Sequence, residues 1–269
     1  MVGVPLTSKM VVMKRDSQLM KTFWDSKARE NARYYVSSFR PYDDQNWEEF
    51  WKSGEILAER FLAESGIHFT GAERVLEIGC GIGRMTRYFG RRFGEVYGID
   101  VSPEMIAQAR NNLSEYKNVS LHVGNGHDLE GFSDDFFDFV FSYITFQHIP
   151  KAHITQEYVQ DAGRVLKPGA YFYFQVNNLP IGIRYRLRLR SRFASMAHRF
   201  RQRAELDHSR SCPAACLTGS GPTELDHPAW RGSRVSISQI RRACDSGGLK
   251  ILEMNGQGTQ YLWVKAVKQ

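Results

Sequence analysis

No stretch of the chain stays apolar for anything near the roughly 18 residues that a membrane-crossing helix requires, and no internal repeat or low-complexity tract interrupts it. Cysteine is scarce. Cys80, Cys212, Cys216 and Cys244 are too scattered to read as a disulfide framework, so a reduced, cytoplasmic setting is expected. The opening MVGVPLTSKMVVMKR places its basic residues after a short apolar patch, the reverse of a secretory signal. Acid is missing from one place in particular. Between Arg184 and Arg203, RYRLRLRSRFASMAHRFRQR carries eight arginines and no Asp or Glu, against a net charge of +7 for the whole chain. The remainder is therefore close to neutral, and the basicity calls for a local explanation.

What is present suffices for one large domain, or for one domain with an insertion. Up to about Ile67 the pattern is helical and amphipathic: DSQLMKTFWDSKARENARYYV, a break at Pro41, then NWEEFWKSGEILAERFLAESG ending on Gly66. From Arg74 onward strands and helices alternate. RVLEIG, EVYGID, NVSLHVG, FFDFVFSYI and AYFYFQV read as strands. GRMTRYFGRRFG, SPEMIAQARNNLSEY and TQEYVQDAGRVL read as helices; Ser102 caps the second, with Pro103 at its first position, and KPG closes the third. This alternation predicts a parallel sheet with helices on both faces. After Asn178 it stops for roughly fifty residues rich in turn formers. It resumes with the helix SISQIRRACDSGG, capped by Ser236, and the strands LKILEMN and TQYLWVKAVK, too close for a helical crossover and hence antiparallel. The expected division is a helical cover over 1–70 and an α/β domain over 71–269, with an insertion at 179–233.

The first strand runs into VLEIGCGIGR, which sets Glu77 against three glycines. A strand, a glycine-rich turn and a helix hold a nucleotide-like ligand at the helix N-terminus, and an acid ending the next strand, here Asp100, suits ribose hydroxyls. That much also describes a dinucleotide-binding oxidoreductase. Two details argue against it: Gly79, Gly81 and Gly83 are spaced G-x-G-x-G rather than G-x-G-x-x-G, and Glu77 suits a cationic amino acid portion better than a pyrophosphate.

The ordered set LEIGCGIG, GIDVSPEM, GNGHDL, FDFVFSYITFQHI and RVLKPGAYFYF resembles the class I S-adenosylmethionine-dependent methyltransferases over Arg74 to Val176, and the terminal antiparallel pair fits that family's seventh strand. The resemblance implies a doubly wound, mostly parallel seven-stranded sheet, Rossmann-like, with an N-terminal helical cover and a basic insertion after strand five. It implies S-adenosylmethionine as cofactor and S-adenosylhomocysteine as its product. Carried over by position, Glu77 orients the methionine or ribose end. Gly79 and Gly81 admit close backbone approach, with Cys80 between them either packing or offering backbone alone. Arg84 reaches the cofactor carboxylate, and Asp100 takes both ribose hydroxyls. Val101 and Met105 flank the adenine, Asn125 with Gly126 reads its edge, and Ser142 and Tyr143 lie near the sulfonium. Relatives often use an N-terminal helix as a cover, so one of Tyr34 and Tyr35 is a candidate to touch the cofactor; ordinary packing is the other reading of these residues and of Phe23 and Trp24.

Methyl transfer to a hydroxyl requires alignment and removal of a proton. His148, just past the fourth strand, is the candidate general base; a plain hydrogen bond to a neighbouring loop is the other reading. Gln147, Asn177 and His227 stand as candidate acceptor contacts. No metal is expected: Asn177 and Asn178 lack a nearby acid for magnesium, and His208, Cys212 and Cys216 lack a fourth ligand for zinc. On a helix, Leu189, Phe193, Met196 and Phe200 would form an apolar stripe beside the arginines. Four readings of that segment stay open: a solvated lid face, a rim steering an anionic acceptor, contact with an anionic membrane surface, and, least supported, nucleic-acid docking. The expected function is O-methylation of a small molecule such as a sugar, glycolipid precursor or secondary metabolite. The alternatives are an RNA or protein methyltransferase docking through Arg184 to Arg203, and a non-catalytic cofactor-binding partner.

Overall fold

The structure, a computed structural model, describes residues 8–37, 41–180 and 227–269, and side chains from residue 15 onward. The arginine segment and His208, Cys212 and Cys216 lie outside the described residues. Two helices come first. α1 (Ser8–Val36) carries a non-helical break at Asn31 (φ −167°, ψ 79°). α2 (Trp47–Ser65) starts where the Asn46 side chain accepts from the Glu49 N–H and stops at Gly66 (φ 63°).

The alternating part follows as β1 (Arg74–Ile78), α3 (Thr86–Arg92), β2 (Glu95–Asp100), α4 (Pro103–Asn112), β3 (Val119–Val123), β4 (Phe137–Ser142), a 3-10 turn at Thr145–His148, α5 (Ala152–Val165) and β5 (Leu166–Val176). The described chain resumes with the short α6 (Pro228–Arg231), then α7 (Ile237–Ser246), β6 (Leu249–Asn255) and β7 (Leu262–Lys268). Among the described residues seven strands form one sheet in the order β3-β2-β1-β4-β5-β7-β6. All pairs are parallel except those of β7, which runs antiparallel to both β5 and β6. This is the doubly wound sheet the alternation predicts. Chain order reverses between β1 and β4, which opens a cleft beyond their carboxyl ends.

Alternation along β1 sorts its side chains. Leu76 and Ile78 join the core on the α5 and α7 side with Phe172 and Phe174. Val75 joins the core beneath α2 and α3 with Phe61, Phe89 and Phe141. Glu77, in phase with Val75, therefore points into that second layer and not to solvent. Ser102 caps α4 with Pro103 inside it, and Ser236 heads α7 in a full capping box, as the residues predict. Two boundaries differ from the sequence reading. α3 begins only at Thr86, because Gly81 (φ 53°) and Gly83 (φ 87°) hold left-handed backbone that a helix excludes. β5 starts earlier than AYFYFQV: KPG closes α5 as expected, just past its end at Val165, but also lies inside the strand, where pairing jumps from Phe137–Leu166 to Phe139–Tyr171. Pro168 cannot donate to a ladder, and Gly169 (φ 79°) leaves it, so the strand bulges there. Among the described residues no helix is long and apolar enough to cross a membrane.

α5 lies against α7 through a glycine. A Cβ at Gly163 would run into the Gly247 carbonyl at the end of α7. Gly163→Ala is expected to cost about 1–3 kcal/mol, read as a lower urea midpoint at unchanged slope.

Candidate functional site

The turn after β1 is welded to the end of β2 by backbone. The N–H groups of Gly79 and Cys80 both donate to the Ile99 carbonyl, at 2.7 and 3.1 Å. The next, from Gly81, donates to Asp100 Oδ2 at 3.0 Å, and the Ser102 N–H donates to Asp100 Oδ1 at 2.9 Å. Asp100 is thus aimed by the turn on one side and the cap of α4 on the other, with lone pairs left on both oxygens. Gly79 (φ 79°) has a second reason to lack a side chain: a Cβ there would overlap Thr145. One at Gly81 would meet Val36 Cγ2 at 2.8 Å. The glycines therefore let the 3-10 turn and the end of α1 close down over the cleft.

Two carboxyls share this cleft. Glu77, 5% exposed, accepts from the Thr86 hydroxyl at 2.6 Å. Burial pushes its carboxyl up to about 8, against the Thr86 bond and the positive charge of Arg84, which pull it down. Burial likewise pushes Asp100 up to about 6, against its backbone N–H donors. Arg84 lines the same wall, with its guanidinium donating to Ser53 Oγ at 3.3 Å and lying 6.0 Å over the Phe50 ring.

The opposite wall is aromatic and aliphatic. Met20, Trp24, Tyr35 and Val36 come from α1, Tyr143, Ile144 and Ile149 from the segment after β4, and Tyr158 from α5. Ile144 holds φ 65°, a left-handed conformation that strains a β-branched residue. Its N–H donates to Oε1 of the buried Gln175 at 3.0 Å, which fixes it there. His148 sits between Trp24 and Trp230, each ring centroid 5.3 Å away. Its Nδ1 lies 2.7 Å from the Trp230 carbonyl. A carbonyl only accepts, so Nδ1 carries the proton and Nε2 keeps its lone pair. Burial pushes the imidazole down to about 4, which keeps it neutral at physiological pH.

Of the residues expected at the site, Glu77, Gly79, Cys80, Gly81, Arg84, Asp100, Val101, Met105, Gly126, Tyr143 and His148 line one cleft. Five lie outside its lining. Ser142 is buried and donates to the Ile78 carbonyl at 3.1 Å, tying β4 to β1. Asn125 turns into its own loop: Oδ1 accepts from the His127 and Asp128 N–H groups, and Nδ2 donates to Asp128 and Glu130. The Gln147 N–H closes the 3-10 turn on Ile144. The buried Asn177 accepts from the Leu179 N–H at 3.0 Å. His227 caps α6, accepting from Ala229 at 3.2 Å, and stacks on Phe23 with centroids 4.2 Å apart. Sequence reasoning missed Met20, Val36, Ile144, Thr145 and Tyr158. The one available signal was the i, i+4 pairing of Met20 with Trp24 on α1.

Residues 76–174 match a family model described as a methyltransferase domain. Over 100 residues the chain is 38% identical to a demethylmenaquinone methyltransferase of Tropheryma whipplei, covering 37% of this chain and 40% of that protein. It is 32% identical over 143 residues to tocopherol O-methyltransferase of Arabidopsis thaliana, covering 48% of this chain and 39% of that protein. The chain thus spans about two fifths of the length of these curated relatives. The crystal structure of magnesium protoporphyrin IX methyltransferase from Synechocystis PCC 6803 superposes with a TM-score of 0.56 at 11% identity, covering 100% of each chain, a likeness of fold.

Both carboxyls hold their protons more tightly here than in an unfolded chain, where Glu and Asp ionise near 4.5 and 3.8. Their contribution to stability is full below the unfolded values and is lost as pH rises through about 6 for Asp100 and about 8 for Glu77. The lowered imidazole of His148 opposes this fall up to its ordinary value of 6.5, so urea unfolding of the ligand-free protein is expected to show stability falling most plainly between pH 6.5 and pH 8, by about 2 kcal/mol. Glu77→Gln is expected to flatten the upper part of that slope.

Proposed function

We propose, on the premise that residues 76–174 form a methyltransferase domain of the class I S-adenosylmethionine-dependent type, that the chain transfers a methyl group from S-adenosylmethionine to a hydroxyl of a small molecule. The observation that carries this is one cleft lined by two raised carboxyls, Glu77 and Asp100, and by the neutral imidazole of His148. The residues present fit the cofactor. Glu77 is a buried carboxyl whose burial penalty outweighs its present partners, and a ligand ammonium would compensate its charge. Asp100 keeps acceptor capacity for a ribose diol, while Val101 and Met105 offer the apolar flanks an adenine requires. On this reading α1 serves as the cover over the cofactor.

S-adenosylmethionine supplies, when bound, a methyl activated on a sulfonium whose sulfur leaves without a proton. The chain's own part is alignment and removal of the acceptor's proton. The acceptor hydroxyl becomes strongly acidic as its oxygen gains the new bond, so a weak base suffices. Nε2 of His148 takes that proton while Nδ1–H stays on the Trp230 carbonyl. The Trp24, Tyr35 and Ile144 wall favours an acceptor that presents an apolar ring face. The C–H face of a sugar or glycolipid precursor does so, as does the planar ring of a secondary metabolite. Two relatives act, by their names, on demethylmenaquinone and tocopherol, which supports a small-molecule acceptor.

The test supplies S-adenosylmethionine with a heavy methyl group to a cell extract together with the protein. Label in small molecules or lipids is expected; label in nucleic acid or protein would overturn the reading. Binding without turnover on any fraction would assign the chain as a cofactor-binding partner. His148→Asn keeps an N–H for the Trp230 carbonyl but removes Nε2. It is expected to cut turnover about 100-fold or more while leaving the dissociation constant of S-adenosylhomocysteine unchanged.

A further inference from the structure

The amide of Asn125 has no capacity left. Its Oδ1 accepts two N–H groups, at 3.0 and 3.1 Å, and its Nδ2 donates twice, to Asp128 at 2.5 Å and Glu130 at 3.4 Å. An amide offers two acceptor and two donor positions, so all four are spent inside the loop. Something else must read a base edge at this end of the cleft.

Two hydroxyls there are unspent. Tyr158 lines the cleft from α5 and is 6% exposed, and its phenol has no hydrogen-bond partner among the described residues. Ser17, on α1, is 7% exposed, and its Oγ is buried without a partner among the described residues. A buried hydroxyl without a partner is uncommon in native proteins, which singles out Ser17 Oγ, while Tyr158 lines the same cleft with a phenol that no described residue pairs. Their place can be stated. A Cβ added to Gly126 would meet Val101 Cγ2 at 3.0 Å, Ser17 Cβ at 3.1 Å and Ser17 Oγ at 3.2 Å, so Ser17, Gly126 and Val101 converge on one spot. The phenol of Tyr158 feels the charges of Asp100 and Asp128, which bracket Val101 and Gly126 in the chain. Those charges and burial hold its proton on, leaving it a donor as well as an acceptor.

We propose that the hydroxyls of Tyr158 and Ser17, and not the Asn125 amide, read the polar edge of the cofactor's adenine, which makes α1 and α5 joint determinants of base specificity. The inference rests on the cofactor assignment made under the proposed function.

Titration calorimetry on the full chain separates the two. S-adenosylhomocysteine and its analogue with oxygen in place of the exocyclic amine are titrated into the wild type, Tyr158→Phe, Ser17→Ala and the double variant. The wild type is expected to bind the adenine compound and to discriminate against the analogue. Tyr158→Phe is expected to weaken the adenine compound about three- to tenfold and to bring the two ligands closer together, with Ser17→Ala acting in the same direction. Neither variant is expected to lower the melting temperature of the ligand-free protein, because each removes a hydroxyl that has no partner among the described residues. Wild-type affinity retained in both variants would overturn the proposal, as would an equal loss for both ligands, which would mark packing. No binding of either compound by the wild type would instead overturn the cofactor assignment, and this inference with it.

Discussion

The carbonyl of Ile99 accepts from two consecutive N–H groups, Gly79 and Cys80, and the carboxylate of Asp100 accepts from the third free one, Gly81. Everything else in the cleft is placed relative to that joint. It stops β1 from continuing, holds the turn against β2, and aims Asp100, whose other oxygen receives the Ser102 N–H at the head of α4. Left-handed backbone at Gly79 and Gly81 is what lets those N–H groups point inward. It also strips the turn of side chains, so Thr145 and Val36 can approach from above. One set of backbone hydrogen bonds therefore shapes both the floor of the cleft and its roof.

The electrostatics follow from the same enclosure. Two carboxyls and an imidazole sit where water is largely excluded, and burial drives each toward its neutral form. A cleft of this kind is poised for a ligand that brings positive charge and hydroxyls, because such a ligand supplies what water no longer does. The imidazole differs from the carboxyls. Its proton is pinned on Nδ1 by the Trp230 carbonyl, so the Nε2 lone pair carries no hydrogen.

Much of this is legible in the sequence. The alternation from Arg74, the caps at Ser102 and Ser236, the stop at Gly66 and the antiparallel end of the sheet are local signals, each decided within a few residues. Glu77 and Asp100 were legible because an acid ending a buried strand beside glycines has few structural uses. Side chains whose task is set from afar were not. Thr145 fills the space over Gly79, Val36 that over Gly81, and nothing near either in sequence announces it. Asn125 reads as a base-contacting amide until its loop folds back upon it. KPG reads as a helix stop and is one, but only the jump in pairing with β4 shows that it also bulges the strand that follows. Tyr158 looks like one more core aromatic on an amphipathic helix. Only its hydroxyl, unpaired among the described residues, sets it apart.

The two halves of the cleft differ in how far the chain must travel to build them. The floor comes from residues 77–126, nearly contiguous, whereas the far wall brings α1 and α6 to the segment after β4, and the His148–Trp230 contact alone spans 82 positions. Contacts between distant segments carry the larger closure entropy and form late in folding. The floor is thus set by contacts close in sequence and the far wall by contacts far apart, so the two halves of the cleft answer to different parts of the chain. A substitution in the far wall can therefore reshape that side of the cleft while the turn held by the Ile99 carbonyl keeps its own hydrogen bonds.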